Sequence, residues 1–376
     1  RRSWHPMVIA MDPELAYVSA KWWFLEALSG GFTAVNNYGL YEAVKNEGIH
    51  RAAAEAGIRL VSSCGLDGKA DESGTGSVRS DLGTITARIE EHLEQVAPLP
   101  RVTPSVSCSS FIGNSPEMLT ALSEICAERG VLLQIHANEH FPEVHQAVLT
   151  YGKRPIELLD SLGVLGPHVI LHHTTLVAEN EVEILARTRA AASYNPLASV
   201  WKGNSVAPAF HYAERGVRFG VGTDNTTADG FRTIAAAEAC QRVAHAMRVA
   251  DFSCGAGWTW VDAATVGAAD ASGLANVGRL ARGMAADFLV LDMVRPECLP
   301  SVDFEWELVR YYNRDQVDAV VVDGAPVQLD VEQAGRSVGR VRVPNRSRRR
   351  SRREGAGESG WDNEPRETEA ARTGRG

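Results

Sequence analysis

The sequence lacks the features that mark several classes of protein. Its six cysteines include no CxxC pair, so neither a disulfide framework nor a cysteine zinc site is indicated. No apolar run is long enough to span a bilayer, and the run near the N terminus is too short for a signal peptide. The net charge of -9 argues against a nucleic-acid-binding body, because phosphate binding needs a concentrated positive surface. We therefore expect a cytoplasmic protein with reduced thiols that binds a small molecule rather than a membrane or a nucleic acid.

The bulk composition is that of an ordinary globular protein. Hydrophobic residues make up 44% and charged residues 23% of the 376 positions, so the chain can bury a large core. One large domain with a smaller appendage is the natural expectation for this length. The composition is compatible with a homo-oligomer, but it does not determine the oligomeric state.

Strand and helix signals alternate along the chain as far as Asp224. Asp12-Pro13 supplies a helix N-cap and a first-turn proline, and the helical periodicity that follows stops at Gly30-Gly31. Seven strand-type runs come next, separated by helical patterns. This alternation predicts an α/β fold with a parallel sheet covered by helices, and the number of units favours a TIM-type (β/α)8 barrel over an open sheet.

The predicted barrel is incomplete at strand one. That strand would precede the helix that begins near Glu14, where the chain offers only MVIAM at residues 7–11. Either this run serves as a makeshift first strand, or the sequence begins late.

Three regions of different composition follow one another along the chain. We expect the barrel over residues 1–275 and a small C-terminal portion of a β-sandwich over 276–331, where Asp323-Gly324 predicts a hairpin turn. Residues 332–376 are rich in Arg, Ser and Glu and poor in apolar residues, which predicts disorder. The basic run at 346–354 could contact a nucleic acid or an acidic partner, but a solvated tail is favoured because glutamates follow it.

Polar residues stand at the ends of the last four predicted strands. These are His136 with Glu139, the pair His172-His173, Asn195, and Asp224. In a barrel of this kind the active site lies at the C-terminal ends of the strands. Histidine and aspartate can hold a divalent metal with one open position, which lowers the pKa of a bound water to about 7. One strand-end histidine is more often structural, but several on one rim predict metal-dependent hydrolysis.

Several stretches resemble the amidohydrolase superfamily, in its deaminase and chlorohydrolase branch. They are IHANEHFPEV, YGKRPIELLDSLGVLGPHVILHHTTLVAENEVEIL, NPLASVWKGNSVAP, GVRFGVGTDN and ATVGAADASGLANVGRLARGMAADFLVLD. The resemblance implies one divalent metal, zinc or iron, with His136 and Asp224 as ligands. It makes Glu139, in an HxxE pattern, the proton-shuttling glutamate. His172, four residues before Leu176, takes the place of the strand-six histidine that contacts water or substrate, and His173 is the second choice.

The function implied by the resemblance is hydrolysis of a non-peptide carbon–nitrogen bond. Deamination of a purine, pyrimidine or triazine-like ring is the leading expectation, and a dechlorinating or amide-cleaving reaction is the alternative within the superfamily. The superfamily's HxH metal motif of strand one occurs nowhere in this chain. A sequence that starts downstream of that motif is favoured over a metal-free, non-catalytic barrel, because HANE and GTDN look intact.

Four further residues are weaker candidates. Trp201 could stack on a planar heterocycle or pack on the barrel rim, and Ser107 could donate to a ring substrate or cap a turn. Glu143 and Arg154 match positions of the superfamily, although Glu143 could simply begin a helix and Arg154 could pair on the surface.

Overall fold

The fold is built on one sheet of seven parallel strands. The structure is a computed structural model and describes residues 11–39, 43–66, 81–250 and 255–327. Strands β1 to β7 lie side by side in chain order, so each strand pairs with the one before it. Their bounds are Ala34–Asn36, Arg59–Gly65, Val102–Cys108, Leu132–Ala137, Val169–His173, Ala191–Tyr194 and Phe219–Val221.

Helices cover the sheet and connect its strands. A π-helical turn and two short 3-10 turns interrupt the regular helices, at Arg242–Ala246, Pro296–Cys298 and Arg314–Gln316. The α-helices α1 to α14 span Pro13–Ser29, Ala43–Ala56, Leu82–Val96, Pro116–Arg129, Phe141–Tyr151, Pro155–Ser161, Glu179–Thr188, Pro196–Lys202, Ala209–Arg215, Gly230–Gln241, Met247–Val249, Gly257–Ala264, Val266–Ala271 and Phe304–Arg310.

The barrel is open between β1 and β7. These two strands are the outer members of the sheet, and in the described ranges each pairs on one side only. The prediction of a TIM-type barrel that is incomplete by one strand is therefore confirmed. Strands β4 to β7 correspond to strands five to eight of the predicted barrel. Residues 7–10 and the tail at 332–376 lie outside the described residues, so the makeshift strand and the disorder remain predictions.

Helix α1 begins and ends where the sequence signals predict. The carboxylate of Asp12 accepts a hydrogen bond from the backbone N–H of Leu15 at 2.7 Å, and Pro13 occupies the first turn. The helix ends at Ser29, and the backbone N–H of Gly30 donates to the carbonyl of Glu26 at 2.8 Å. None of the described helices combines the length and apolar character needed to cross a membrane.

Strand β4 shows how the sheet separates an apolar layer from a polar one. Leu133 and Ile135 pack with helix residues in the main hydrophobic core, because alternate side chains of a strand point to opposite faces. On the other face, Leu132 joins Ile170, Ala191 and Ala271 in a small apolar cluster. Gln134 and His136 follow Leu132 on that same face. The inner face of the barrel therefore becomes polar toward the C-terminal ends of the strands.

A small antiparallel sheet follows the barrel. Its strands β8 to β10 span Phe288–Leu291, Val317–Val322 and Ala325–Val327. The hairpin between β9 and β10 turns at Asp323 and Gly324, whose φ values of 53° and 74° suit a tight hairpin turn, as predicted. Val320 and Val322 pack in one core cluster with Leu28 of α1 and Ile58. The sheet therefore shares a core with the barrel, while the boundaries at 275 and 331 remain predictions.

Helices α12 and α13 follow each other directly but are separate helices. The backbone leaves helical geometry at Thr265, which has φ -118° and ψ -93°. A side chain at Gly267 would come within 2.5 Å of the carbonyl oxygen of Phe219 in β7. The break therefore lets α13 approach the edge strand of the barrel closely.

Candidate active site

His136 lies at the end of β4 and Glu139 in the turn that follows, and this turn is held from both sides. Asn138 adopts a φ of 55°, and its amide nitrogen donates to Oε1 of the fully buried Glu181 at 2.9 Å. Nε of Arg154 donates to Oε2 of the same carboxylate at 2.7 Å. Arg154 therefore supports the active-site turn through the buried Glu181. From the sequence alone, Arg154 could also have formed an ion pair on the surface.

Glu143 supports the same turn from helix α5. Its Oε2 accepts a hydrogen bond from the backbone N–H of Glu139 at 2.9 Å. Burial raises the pKa of Glu143 to about 7, because the hydrogen bond offsets only part of the desolvation cost and the charge of Glu139 adds to it. The side chain also lines the cavity described below.

Glu139 is a buried carboxylate surrounded by nitrogen groups of three side chains. Its oxygens lie 3.1 Å from Nε2 of His140, 3.6 Å from Nε2 of His173 and 3.0 Å from Nζ of Lys202. Burial alone would raise the pKa of Glu139, but the hydrogen bond with His140 and the neighbouring positive charges outweigh it and lower the pKa below its usual range. Glu139 is therefore ionised at neutral pH.

The side chains of the two adjacent histidines of β5 have different neighbours. His172 lies on the inner face of the barrel, where its Nε2 is 3.0 Å from Oε1 of Gln134. His173 closes the strand with a φ of 73°, and its Nε2 lies 3.9 Å from Oδ2 of Asp224. The structure therefore brings His173 together with Glu139 and Asp224, whereas His172 bonds to a neighbouring strand.

Asn195 fixes the ring of His173. Its amide nitrogen donates to Nδ1 of His173 at 3.3 Å, while its carbonyl oxygen accepts from the hydroxyl of Ser193 at 2.9 Å. Because Nδ1 accepts, neutral His173 carries its proton on Nε2, the nitrogen that faces Glu139 and Asp224. Asn195 packs over Gly222, where a Cβ would lie 2.3 Å from its carbonyl oxygen. Gly222 thus leaves room for the asparagine that orients His173.

Lys202 is the site residue that the sequence reasoning did not single out. It ends helix α8, and its Nζ lies 2.6 Å from Oδ2 of Asp224 as well as 3.0 Å from Oε1 of Glu139. Burial by itself would lower the pKa of Lys202, but the interactions with both carboxylates raise it above its ordinary value. The sequence signal that could have indicated Lys202 is its position at the end of a short helix that follows a strand end.

Trp201 and Ser107 lie away from the polar rim. The side chain of Trp201 is 59% exposed, and the guanidinium of Arg232 lies 5.9 Å from its ring. Ser107 is buried, with its hydroxyl 3.5 Å from the carbonyl of Cys64. Neither residue lines the described cavity at the barrel mouth, whereas Ser109 and Ser110, which follow β3, do.

A cavity of about 1210 Å³ opens at the rim and extends along the open side of the barrel. His136, Glu139, His172, His173, Lys202 and Asp224 line its polar end. Apolar side chains of α1 and α13 line part of the rest. A cavity of this size accommodates a small molecule as large as a nucleoside.

The donor set at the rim fits a divalent metal. Among the described residues, His136, Glu139 and His173 each place one ligand atom within 4.8 Å of the others. Asp224 adds a second carboxylate next to His173. Imidazole and carboxylate are the donors that catalytic zinc sites use. The rim therefore concentrates metal-binding donors, and His136 is the ligand implied by the resemblance that belongs to this cluster.

The sequence matches a known family over most of its length. The family model described as the amidohydrolase family matches residues 2–327. This chain belongs to the amidohydrolase family. The resemblance seen in the stretches around HANE and GTDN is thereby confirmed.

Curated relatives are deaminases of adenosine derivatives. The 5-methylthioadenosine/S-adenosylhomocysteine deaminase of Nitratidesulfovibrio vulgaris is 29% identical over 231 residues, which cover 61% of this chain and 52% of the relative. The 5'-deoxyadenosine deaminase of Methanothermobacter thermautotrophicus is 26% identical over 332 residues, covering 87% and 74%. The chain thus spans about half the length of the first of these relatives.

Solved structures support the fold. A zinc-bound adenosine deaminase from Xanthomonas campestris superposes with a TM-score of 0.77 at 22% identity, over 86% of this chain and 72% of that chain. A zinc complex of the atrazine chlorohydrolase from Arthrobacter aurescens gives 0.77 at 21% identity, over 86% and 76%. Both are similar to this chain in architecture.

Proposed function

We propose that this chain hydrolytically deaminates an aminopurine nucleoside, with one zinc ion as cofactor. The observation that carries the proposal is the convergence of His136, Glu139, His173 and Asp224 at one end of the cavity. The names of the curated deaminases support an adenosine derivative as substrate. Iron, which the sequence left open, has no support from these comparisons.

His136 and Asp224 are the ligands that this chain supplies for the metal. They are the positions that the family resemblance assigns, and the sequence contains no HxH. When bound, a divalent metal makes water a nucleophile near neutral pH. His173 carries its proton on Nε2, so it acts as a hydrogen-bond donor at the rim rather than as a ligand.

Glu139 moves the proton in this proposal. Because its carboxylate is ionised, it begins as an acceptor and takes a proton from the attacking water, while Asp224 helps to align that water. Glu139 then gives the proton to the amino nitrogen that leaves the ring. Water adds to the ring carbon, the carbon–nitrogen bond breaks, and the products are ammonia and an oxo-purine.

The reaction can be tested with a panel of nucleosides. The purified chain, with Zn²⁺ added, would be incubated with adenosine, 5'-deoxyadenosine, 5'-methylthioadenosine and S-adenosylhomocysteine, and ammonia would be measured by a coupled assay. We expect ammonia release from at least one nucleoside and none from the Glu139→Gln variant. Equal rates for the two proteins, or no release from any nucleoside, would contradict the proposal.

The cysteines support a cytoplasmic setting for this function. The five that the structure describes form no disulfide with one another, and four of them are buried, which fits a reducing compartment. A homo-oligomer remains a prediction, and size-exclusion chromatography with light scattering would measure it.

A further inference from the structure

Lys202 occupies a bridging position at the rim. Its ammonium nitrogen contacts Oε1 of Glu139 at 3.0 Å and Oδ2 of Asp224 at 2.6 Å, two carboxylates that come from different strand ends. Glu139 is 11% exposed and Asp224 20% exposed, so water screens their mutual repulsion only in part. One positive charge between two partly buried negative charges stabilises both.

The contacts of Lys202 overlap with those of the metal. Asp224 is a metal ligand in the proposed function, and the same Oδ2 accepts from Lys202. Oδ1 of Asp224 accepts from the backbone N–H of Asn225 at 2.6 Å, so both oxygens of this carboxylate already have a donor. The ammonium also repels a second cation at the same carboxylate, so Lys202 and the metal compete for Asp224.

The side chain of Lys202 can move away from the two carboxylates into solvent. Its side chain is 36% exposed, and it is the last residue of helix α8, followed by Gly203 with a φ of 71°. The lysine stem is flexible and the ammonium is strongly hydrated, so the side chain can swing into solvent at small cost.

We propose that Lys202 is an internal cation that holds the carboxylates of the metal-free rim in place and competes with the divalent metal for Asp224. The inference rests on the proposed function only in taking Asp224 as a metal ligand. It deepens that function by making Lys202 a positioning residue that sets the metal affinity. A rim that is held by Lys202 in about 90% of the molecules binds the metal about tenfold more weakly than a rim without it.

The first measurement is the affinity of the full chain for Zn²⁺. It compares the wild type with Lys202→Met, and uses Lys153→Met at an exposed lysine as the matched control. Zn²⁺ would be titrated against a chromophoric chelator, so that no enzymatic activity is needed. We expect Lys202→Met to bind Zn²⁺ about tenfold more tightly and Lys153→Met to match the wild type.

The second measurement is the stability of the metal-free protein. In urea denaturation with a chelator present, we expect Lys202→Met to unfold at a lower urea concentration than the wild type. The double variant Lys202→Met/Asp224→Asn should recover part of that loss, because the repulsion between the carboxylates is gone. Lys202→Gln also removes the positive charge and replaces Lys202→Met in both measurements, with the same expected results, if Lys202→Met does not fold.

The outcomes separate this inference from the proposed function. Tighter zinc binding together with a less stable metal-free protein supports competition by Lys202. If the wild type binds Zn²⁺ and Lys202→Met binds it no more tightly, the competition is refuted while the zinc site stands. If neither protein binds Zn²⁺, both proposals are refuted.

Discussion

Nε2 of His173 lies 3.6 Å from Oε1 of Glu139, with the ring oriented from behind by Asn195. The preceding residue, His172, has the same chemistry but bonds to Gln134 inside the barrel. The difference arises at the strand end, where His173 has a φ of 73° and departs from the alternation of the strand. One backbone angle thus decides which of two adjacent imidazoles reaches the carboxylates.

Substitution of these two histidines should have unequal effects. His173→Asn removes the Nε2–H donor that faces Glu139, so we expect ammonia release to fall by about 100-fold or more. His172→Asn retains a polar group beside Gln134 and should lower the rate by less than about tenfold. Steady-state kinetics of the two variants on one nucleoside check this prediction. A larger loss of rate in His172→Asn than in His173→Asn would contradict it.

Gly222→Ala should disturb His173 indirectly. The added Cβ would lie 2.3 Å from the carbonyl oxygen of Asn195, so the asparagine must move and release Nδ1 of His173. We expect kcat to fall about tenfold, and Asn195→Ala to give a similar loss. The double variant should be little worse than either single variant, because both changes break one contact. Additive losses would show that Gly222 acts elsewhere.

Glu181→Gln should destabilise the turn that carries the site. The substitution leaves Arg154 without its carboxylate partner in a buried network, which costs about 3 kcal/mol in the free energy of unfolding. Urea denaturation measures this free energy. Glu183→Gln, at an exposed position of the same helix, is the control and should change it by less than about 0.5 kcal/mol. Equal stabilities of the two variants would exclude the proposed role of Glu181.

The buried histidine His50 of α2 should make the protein less stable in acid. Burial and the nearby His92 lower the pKa of His50 from 6.5 to about 4, and its Nε2 is 2.7 Å from the hydroxyl of Ser62. The unfolded chain therefore binds a proton that the folded protein does not. The contribution of His50 is present above pH 6.5 and is lost as the pH falls toward 4.

The variant His50→Gln tests this titration. Between pH 7 and pH 4 it should lose about 3 kcal/mol less in the free energy of unfolding than the wild type, because glutamine does not titrate. His145→Gln, at an exposed histidine on α5, should follow the wild type. Parallel curves for the wild type and His50→Gln would contradict a buried neutral His50.

Much of the fold could be predicted because its signals are local. Helix α1 begins after Asp12 and ends before Gly30, as predicted, and the side chains of Asp81 and Ser115 cap α3 and α4 in the same way as Asp12 caps α1. The break at Thr265 could not be predicted in this way. It depends on the close approach of Gly267 to β7, which is a tertiary contact without a local pattern.

The site was predicted where residue type and strand ends coincide. His136, Glu139 and Asp224 were named in advance and lie on one cavity. Lys202 was not named, because its role depends on a helix that brings it back over the barrel mouth. Ser107 stands near a strand end and pairs with Gln134 in register, yet its hydroxyl lies below the rim, 3.5 Å from the backbone carbonyl of Cys64. Depth along the strand and the path of the loops thus set the limit of prediction at this rim.

The proposed reaction depends most directly on Glu139, and one paired measurement on the variant Glu139→Gln tests the role of this residue. Zinc affinity and ammonia release would be determined on the same preparation of this variant and of the wild type. We predict a zinc affinity within about threefold of the wild type and a loss of at least about 100-fold in ammonia release, because Glu139 moves a proton and does not hold the metal. If Glu139→Gln releases ammonia at the wild-type rate, or if it no longer binds zinc, the proposed role of Glu139 is contradicted.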